Sequence, residues 1–199
     1  DKALERDVKN RARTCREEIA FVQRRRADCA VLMDLLDAGK LPLRVTHNDT
    51  KINNILFDRQ GEVLCAIDLD TVMASTSLND FGDAIRSYAN TGDEDDRDLS
   101  RVGLSLEMFR AYTEGYLSQR AKQLTDSEID HLAFSARYIT FEQVLRFLMD
   151  YIDGDTYYKI KYPEHNLVRT HAQYELLRSM EKQYGTMCEI VRETVAKYK

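Results

Sequence analysis

Apolar residues recur at helical spacing along most of the chain, and one central stretch departs from that period. Leu4, Val8, Ala12, Cys15, Ile19 and Val22 follow at three- and four-residue intervals, which predicts helix through the first forty residues until Gly39 and Pro42 stop it. The departure comes at Ile55 to Phe57 and Val63 to Ile67, two short apolar runs separated by Asp58-Arg59-Gln60-Gly61, the pattern of a β hairpin. Helices are then expected from about Asn79 to Tyr88 and from Leu106 to Arg120, the second with Met108, Phe109, Tyr112, Tyr116 and Leu117 as its apolar stripe. Thr125 followed by Glu128 is a capping-box signature. It opens one long helix through Ile129, Leu132, Ala136, Ile139, Val144, Leu145 and Leu148 to about Ile152, broken by Gly154 and Asp155. A last helix, from about Glu164 to Ala196, carries Leu167, Tyr174, Leu177, Met180, Tyr184 and Met187, a stripe expected in the core. The expected fold is therefore mainly α, with one short β hairpin.

Composition narrows the class. With 199 residues, 43% of them apolar, the chain can bury a core as one domain, 1–199, and nothing in it reads as a linker. No apolar run approaches the roughly 20 residues of a membrane span, and the first residues do not read as a signal peptide. The balance of 29 basic against 34 acidic residues, a formal charge of -5, argues against a nucleic-acid partner. Cys15, Cys29, Cys65 and Cys188 lack pair spacing and read as reduced, mostly buried thiols of a cytoplasmic protein. Arg24-Arg25-Arg26 and the acidic stretch Asp93 to Asp98 read as solvated surface, the latter lacking a full calcium-loop ligand pattern.

The chemistry lies just before and at the end of the predicted hairpin. His47-Asn48-Asp49-Thr50-Lys51-Ile52-Asn53-Asn54 places a His, an Asp and an Asn at the spacing a kinase catalytic loop uses, and Ile67-Asp68-Leu69-Asp70 adds a carboxylate where the second strand ends. Phosphoryl transfer from ATP needs a carboxylate to orient the acceptor hydroxyl and hard oxygens to hold Mg²⁺ against the phosphates. Asp49 suits the first role; Asn54 and Asp68 suit the second. His47 is expected to brace the loop through its ring nitrogens. Asp70, two residues beyond Asp68, would share its side of an extended strand and support the metal or acceptor indirectly. Asp49 and Asn54 as simple turn caps is the plainer alternative. Asp80, Asp83 and Arg86, at the start of the next helix, are expected to fix the metal-bearing segment.

At these residues the chain resembles the aminoglycoside phosphotransferase and choline kinase superfamily. Thr46 to Lys51, Ile67 to Met73, Asn79 to Arg86, Arg146 to Tyr151 and Gly154 to Ile160 are most similar to the N-acetylhexosamine 1-kinases. The resemblance runs from about Val8 to Met187. It implies the helical C-terminal lobe of a protein-kinase-like, aminoglycoside-phosphotransferase-type fold, with Asp49 as general base, Asn54 and Asp68 as magnesium ligands, and ATP as co-substrate. It also implies Arg146 and Tyr157 as the residues that hold the acceptor sugar. Without the resemblance, Arg146 reads equally as the partner of Glu142 in a solvated ion pair, and Tyr157, one of eleven tyrosines, as a core or rim aromatic. Ser87 stands where some family members carry an aromatic, so no stacking is expected from it.

A complete kinase of this kind also needs a glycine-rich nucleotide-covering loop and a strand lysine for the phosphates. The eight glycines here never cluster, and no strand-like segment is expected before the motif. The chain therefore reads as a catalytic lobe separated from an N-terminal lobe expected to pack on it, and inactive by itself.

Overall fold

A computed structural model describes residues 1–199. Its helices are α1 (Lys2–Arg6), α2 (Arg16–Arg24), α3 (Val31–Asp37), α4 (Ser77–Tyr88), α5 (Leu106–Arg120), α6 (Asp126–Asp130), α7 (Leu132–Ile152) and α8 (His165–Tyr198). Between α3 and α4 lie four short strands, β1 (Arg44–Thr46), β2 (Ile55–Phe57), β3 (Val63–Ala66) and β4 (Met73–Ser75). The architecture is mainly helical, as the periodicity predicts. No helix is long and apolar enough to cross a membrane.

α7 is the central element, packed along α8 on one side and α4 on another. Leu78, Phe81 and Ile85 of α4, Leu132 and Ala136 of α7, Leu176, Met180 and Met187 of α8, and Phe109 and Leu117 of α5 form the main core. The α4–α7 approach is close enough that a Cβ at Gly82 would collide with the Ser135 carbonyl oxygen and the Ile139 side chain, so glycine is required there. The N-terminal helices sit on the far side of α7, where Phe21 packs with Phe141, Val144 and Leu177.

The predicted N-terminal helix is interrupted, and the cause is polar side chains that compete for backbone groups. Asp7 and Asn10 take positive φ, and Asp7 Oδ1 accepts the backbone N–H of Arg11 (2.8 Å) and Ala12 (3.1 Å), ending α1 after one turn. Val8, counted in the apolar stripe, is exposed. The expected helix from Thr125 to Ile152 is also two elements. The Thr125–Glu128 capping box is present, but the His131 ring donates from Nδ1 to the Ser127 carbonyl (2.7 Å), the acceptor its own backbone N–H would use in a continuous helix.

The hairpin forms as expected, with β2 and β3 antiparallel and Ile55 opposite Ala66. Asp58 Oδ1 builds its turn by accepting N–H groups of Gln60 (2.9 Å) and Glu62 (2.8 Å). A second two-stranded pair, β1 with β4, was not expected: it aligns Arg44 with Ser75 and Thr46 with Met73, and so closes the segment that carries the motif. The four cysteines are unpaired, but only Cys15 is buried; Cys65 is exposed on β3. Arg25 is not solvated surface either, since its guanidinium bonds Glu181 (2.7 and 2.8 Å) and lies over the Phe21 ring.

Glu128, fully buried, fastens the strands to the helices. Its carboxylate receives the Arg44 guanidinium in two bonds (3.0 and 2.8 Å), the Ser77 hydroxyl (2.7 Å) and the Thr125 N–H (2.8 Å), joining β1, α4 and α6. Burial pushes this carboxyl up, but the bonds from Arg44, Thr125 and Ser77 outweigh it and hold it at about 2. Because the folded value lies below the unfolded one, the stabilisation is fully present above about pH 4.5 and is lost as pH falls toward 2. Glu128→Gln should lower the melting temperature at pH 7, at a cost of roughly 3 kcal/mol. The gap between variant and wild type should close in thermal melts taken from pH 5 down to pH 2; a gap that does not narrow would refute the assignment.

Candidate active site

The segment from His47 to Asn54 is irregular backbone held from outside itself. Asn48 takes φ +61°, which Asn tolerates better than most residues, and this reverses the chain after β1. Asp80, in the first turn of α4, receives the two N–H groups at that bend: His47 N–H on Oδ2 (3.0 Å) and Asn48 N–H on Oδ1 (2.7 Å). The Thr50 hydroxyl donates to the Asp80 carbonyl (2.7 Å), the Ser87 hydroxyl accepts the Ile52 N–H (3.2 Å), and the Thr71 hydroxyl donates to the His47 carbonyl (2.6 Å). The expected fixing role of the Asp80 region thus has a direct geometry. Ser87 supplies a backbone contact in place of an aromatic face.

Within the loop, Asp49, Lys51 and Asn54 converge. Lys51 Nζ and Asn54 Nδ2 both lie 2.8 Å from Asp49 Oδ2, and Asn54 Nδ2 also donates to the Asp49 carbonyl (2.8 Å). Burial raises the Asp49 carboxyl, yet hydrogen bonds from Lys51 and Asn54 and the charges of Lys51 and Arg86 more than offset it, leaving it below the usual carboxylate range. Lys51 is held above its ordinary value: burial lowers it, but Asp49, Asp68 and Glu94 prevail. Sequence reasoning assigned Lys51 no role, although a cation two residues from the central carboxylate was a readable signal. Of the two His47 ring nitrogens expected to brace the loop, Nε2 donates to the Ile67 carbonyl (3.0 Å), while Nδ1 is buried without a partner.

The Ile67 N–H donates to the Asn54 carbonyl (2.9 Å), so the hairpin returns the chain to the His47–Asn54 loop immediately before Asp68. The strand does not continue. Asp68 adopts φ +62° and Leu69–Thr71 form a 3₁₀ turn, so Asp70 is not placed beside Asp68 by strand alternation. Asn54 is buried with its amide nitrogen committed to Asp49, which leaves the amide oxygen available; Asp68 is exposed. No three His, Cys, Asp or Glu side chains converge to cage a metal anywhere in the chain. An amide oxygen with one carboxylate fits a Mg²⁺ ion that takes its other ligands from water and phosphate.

Arg146 and Tyr157 meet directly, with Arg146 Nη2 3.4 Å from the Tyr157 hydroxyl and the guanidinium 5.7 Å from the ring centre. They border a cleft of about 320 Å³ with Thr156 and Tyr158. The alternative partner of Arg146 is also in place, Glu142 at 3.9 Å, but that pair is half-exposed and contributes little. Tyr157 is 73% exposed, a rim residue whose ring meets the Tyr158 ring edge-to-face at 4.8 Å between centroids. Arg86 and Glu94 lie toward this side: buried Arg86 bonds Asp83 (2.9 Å) and Glu94 (2.8 Å), and the Glu94 charge bears on both Lys51 and Tyr158. The acidic stretch is accordingly structured. Besides Glu94, Asp95 bonds buried His165 (2.8 Å) and Lys161 (3.2 Å).

Removing the Lys51 ammonium leaves burial acting on Asp49 with less to oppose it. Lys51→Met should move the Asp49 titration upward, read by carboxyl ¹³C NMR against an Asp49→Asn control that identifies the signal. An unmoved titration would mean that Lys51 does not set the charge of Asp49.

Residues 1–122 match the model of the phosphotransferase enzyme family. That span holds the His47–Asn54 loop, both strand pairs, Asp68 and Asp80, whereas α7, α8 and the Arg146–Tyr157 pair lie beyond it. With 122 of 199 residues matched, including every element that shapes the loop, the chain belongs to the phosphotransferase enzyme family.

Proposed function

We propose that this chain is the C-terminal catalytic lobe of an ATP-dependent small-molecule kinase that phosphorylates the anomeric hydroxyl of an N-acetylhexosamine. The observation that carries the reading is the Asp49 carboxylate, kept ionised beside Lys51 and Asn54 on a loop fixed from α4. A carboxylate held below its usual range is a weak base, so it first accepts a hydrogen bond from the sugar C1 hydroxyl and aims it; as the new O–P bond forms and the γ-phosphorus–oxygen bond to the leaving ADP breaks, the hydroxyl proton passes to Asp49. Asn54 and Asp68 would hold Mg²⁺, which when bound neutralises charge on the transferring phosphates. Lys51 adds a cation on the same side. His47 keeps the end of the hairpin against the loop. Arg146 can donate to hydroxyl and acetamide oxygens, and the exposed ring of Tyr157 suits a sugar. We assign Asp70 no more than a supporting electrostatic role.

The nucleotide clamp belongs to a second lobe outside these residues. Val45, Leu56, Phe57, Val63, Leu64 and Met73 are exposed on the two strand pairs. Two-stranded ribbons are marginal alone, and such a patch calls for a cover. We place the parent enzyme in the cytoplasm, where ATP is available and four unpaired thiols stay reduced.

³¹P NMR of MgATP with the two-lobe polypeptide and N-acetylglucosamine or N-acetylgalactosamine should show an anomeric phosphate that disappears in Asp49→Asn. The 199 residues alone should give negligible transfer. Phosphate appearing instead on choline, an aminoglycoside or another sugar would keep the reaction and discard the substrate; no transfer to any acceptor would leave a sugar-binding module.

A further inference from the structure

The Tyr157 side chain makes one weak polar contact and meets the Tyr158 ring edge-to-face, with centroids 4.8 Å apart, yet it is 73% exposed, so its own packing alone does not explain its position. The backbone beneath it does. Asp150 lies one helical turn beyond Arg146 on the same face of α7, and the residue is 3% exposed. Oδ1 accepts the N–H groups of Thr156 (2.9 Å) and Tyr157 (2.8 Å); Oδ2 accepts the N–H of Tyr158 (3.0 Å) and an amide N–H of Asn166 (2.8 Å). The backbone carbonyl of Asp150 takes a further bond, from the Asp155 N–H (2.8 Å).

Gly154 at φ +94° and Asp155 at φ +63° turn the chain back toward α7, and the three N–H groups that follow converge on one side chain. The turn is pinned from its other side. Asn166 Nδ2 also reaches Asp155 Oδ1 (3.1 Å), and Arg11, nearly buried, bonds both Asp155 and the Tyr151 carbonyl (2.7 Å). A carboxylate receiving four N–H bonds is satisfied without a neighbouring cation, and each such bond is charge-assisted.

We propose that Asp150 is the positioning residue of the acceptor site: by gathering the backbone of Thr156 to Tyr158 it sets Tyr157 against Arg146. Asp150 lines the cleft, but both of its carboxylate oxygens are taken by protein N–H groups, so it works through Tyr157. This rests on the sugar-kinase reading for the meaning of the site, but the placement of Tyr157 stands apart from it.

Two measurements on the two-lobe polypeptide separate these. In hydrogen–deuterium exchange, Asp150→Asn should speed exchange of the Thr156, Tyr157 and Tyr158 amides by roughly tenfold or more, the loss of about one charge-assisted bond. Core amides of α7 and α8 should be unchanged. Unaltered exchange at 156–158 would overturn the proposal. In kinetics, Asp150→Asn should raise the acceptor KM with the MgATP KM unchanged, and in a Tyr157→Ala background it should add little, because both changes remove the same contact. Additive effects, or equal changes in both KM values, would overturn it. If Asp150→Asn does not fold, Asn166→Ala, which removes a single donor to Oδ2, takes its place in both measurements with the same expected directions. A wild-type enzyme without sugar transfer would refute the proposed function, while exchange would still decide the role of Asp150.

Discussion

The loop from His47 to Asn54 exists because one carboxylate, Asp80, catches two consecutive backbone N–H groups at its bend. Buried backbone donors must be satisfied, and a segment that is neither helix nor strand cannot do this internally. Asp80 does it from the first turn of α4, a position where negative charge also suits the helix end. The loop therefore inherits the rigidity of α4, and α4 inherits its own from close packing at Gly82 against α7. The Asp49–Lys51–Asn54 arrangement is the downstream result: with the bend fixed, the next turn can bring three polar side chains within hydrogen-bond range.

Buried charge serves the same purpose elsewhere in the molecule. Glu128 ties β1, α4 and α6, and Arg86 joins α4 to the acidic segment through Glu94 while lying near Gln173 of α8. Such groups are costly to desolvate, and apolar residues of equal size would often stabilise as well. What they supply here is register. Each fixes a short strand or loop that has too little apolar surface to fix itself, and the face so ordered is the one that carries Asp49, Asn54 and Asp68.

Legibility in the sequence followed the range of the interactions. The hairpin, the capping box at Thr125 and α5 were readable because their signals lie within a few residues of the structure they cause. The breaks at Asp7 and His131 were missed because in each a polar side chain competes with the backbone, and periodicity of apolar residues does not register that contest. The β1–β4 pair joins residues about thirty apart with three residues in each strand, too short to show alternation. The acidic segment looked solvated because its partners, Arg86, Lys161 and His165, arrive from α4, from the segment before α8 and from the first residue of α8.

The sequence by itself determined the chemistry available: a His, an Asp, an Asn and a second Asp at fixed intervals around a hairpin, in a helical chain able to bury a core. Those intervals follow from local backbone geometry, which the order of residues dictates. Only the tertiary structure decided how the parts act together. It set Lys51 and Asn54 on one oxygen of Asp49, turned Asp68 out of the strand at φ +62°, and brought Tyr157 back over Arg146 by way of Asp150. Each of these depends on a buried polar group finding its partner once the helices have packed, and such partners are chosen by proximity in space.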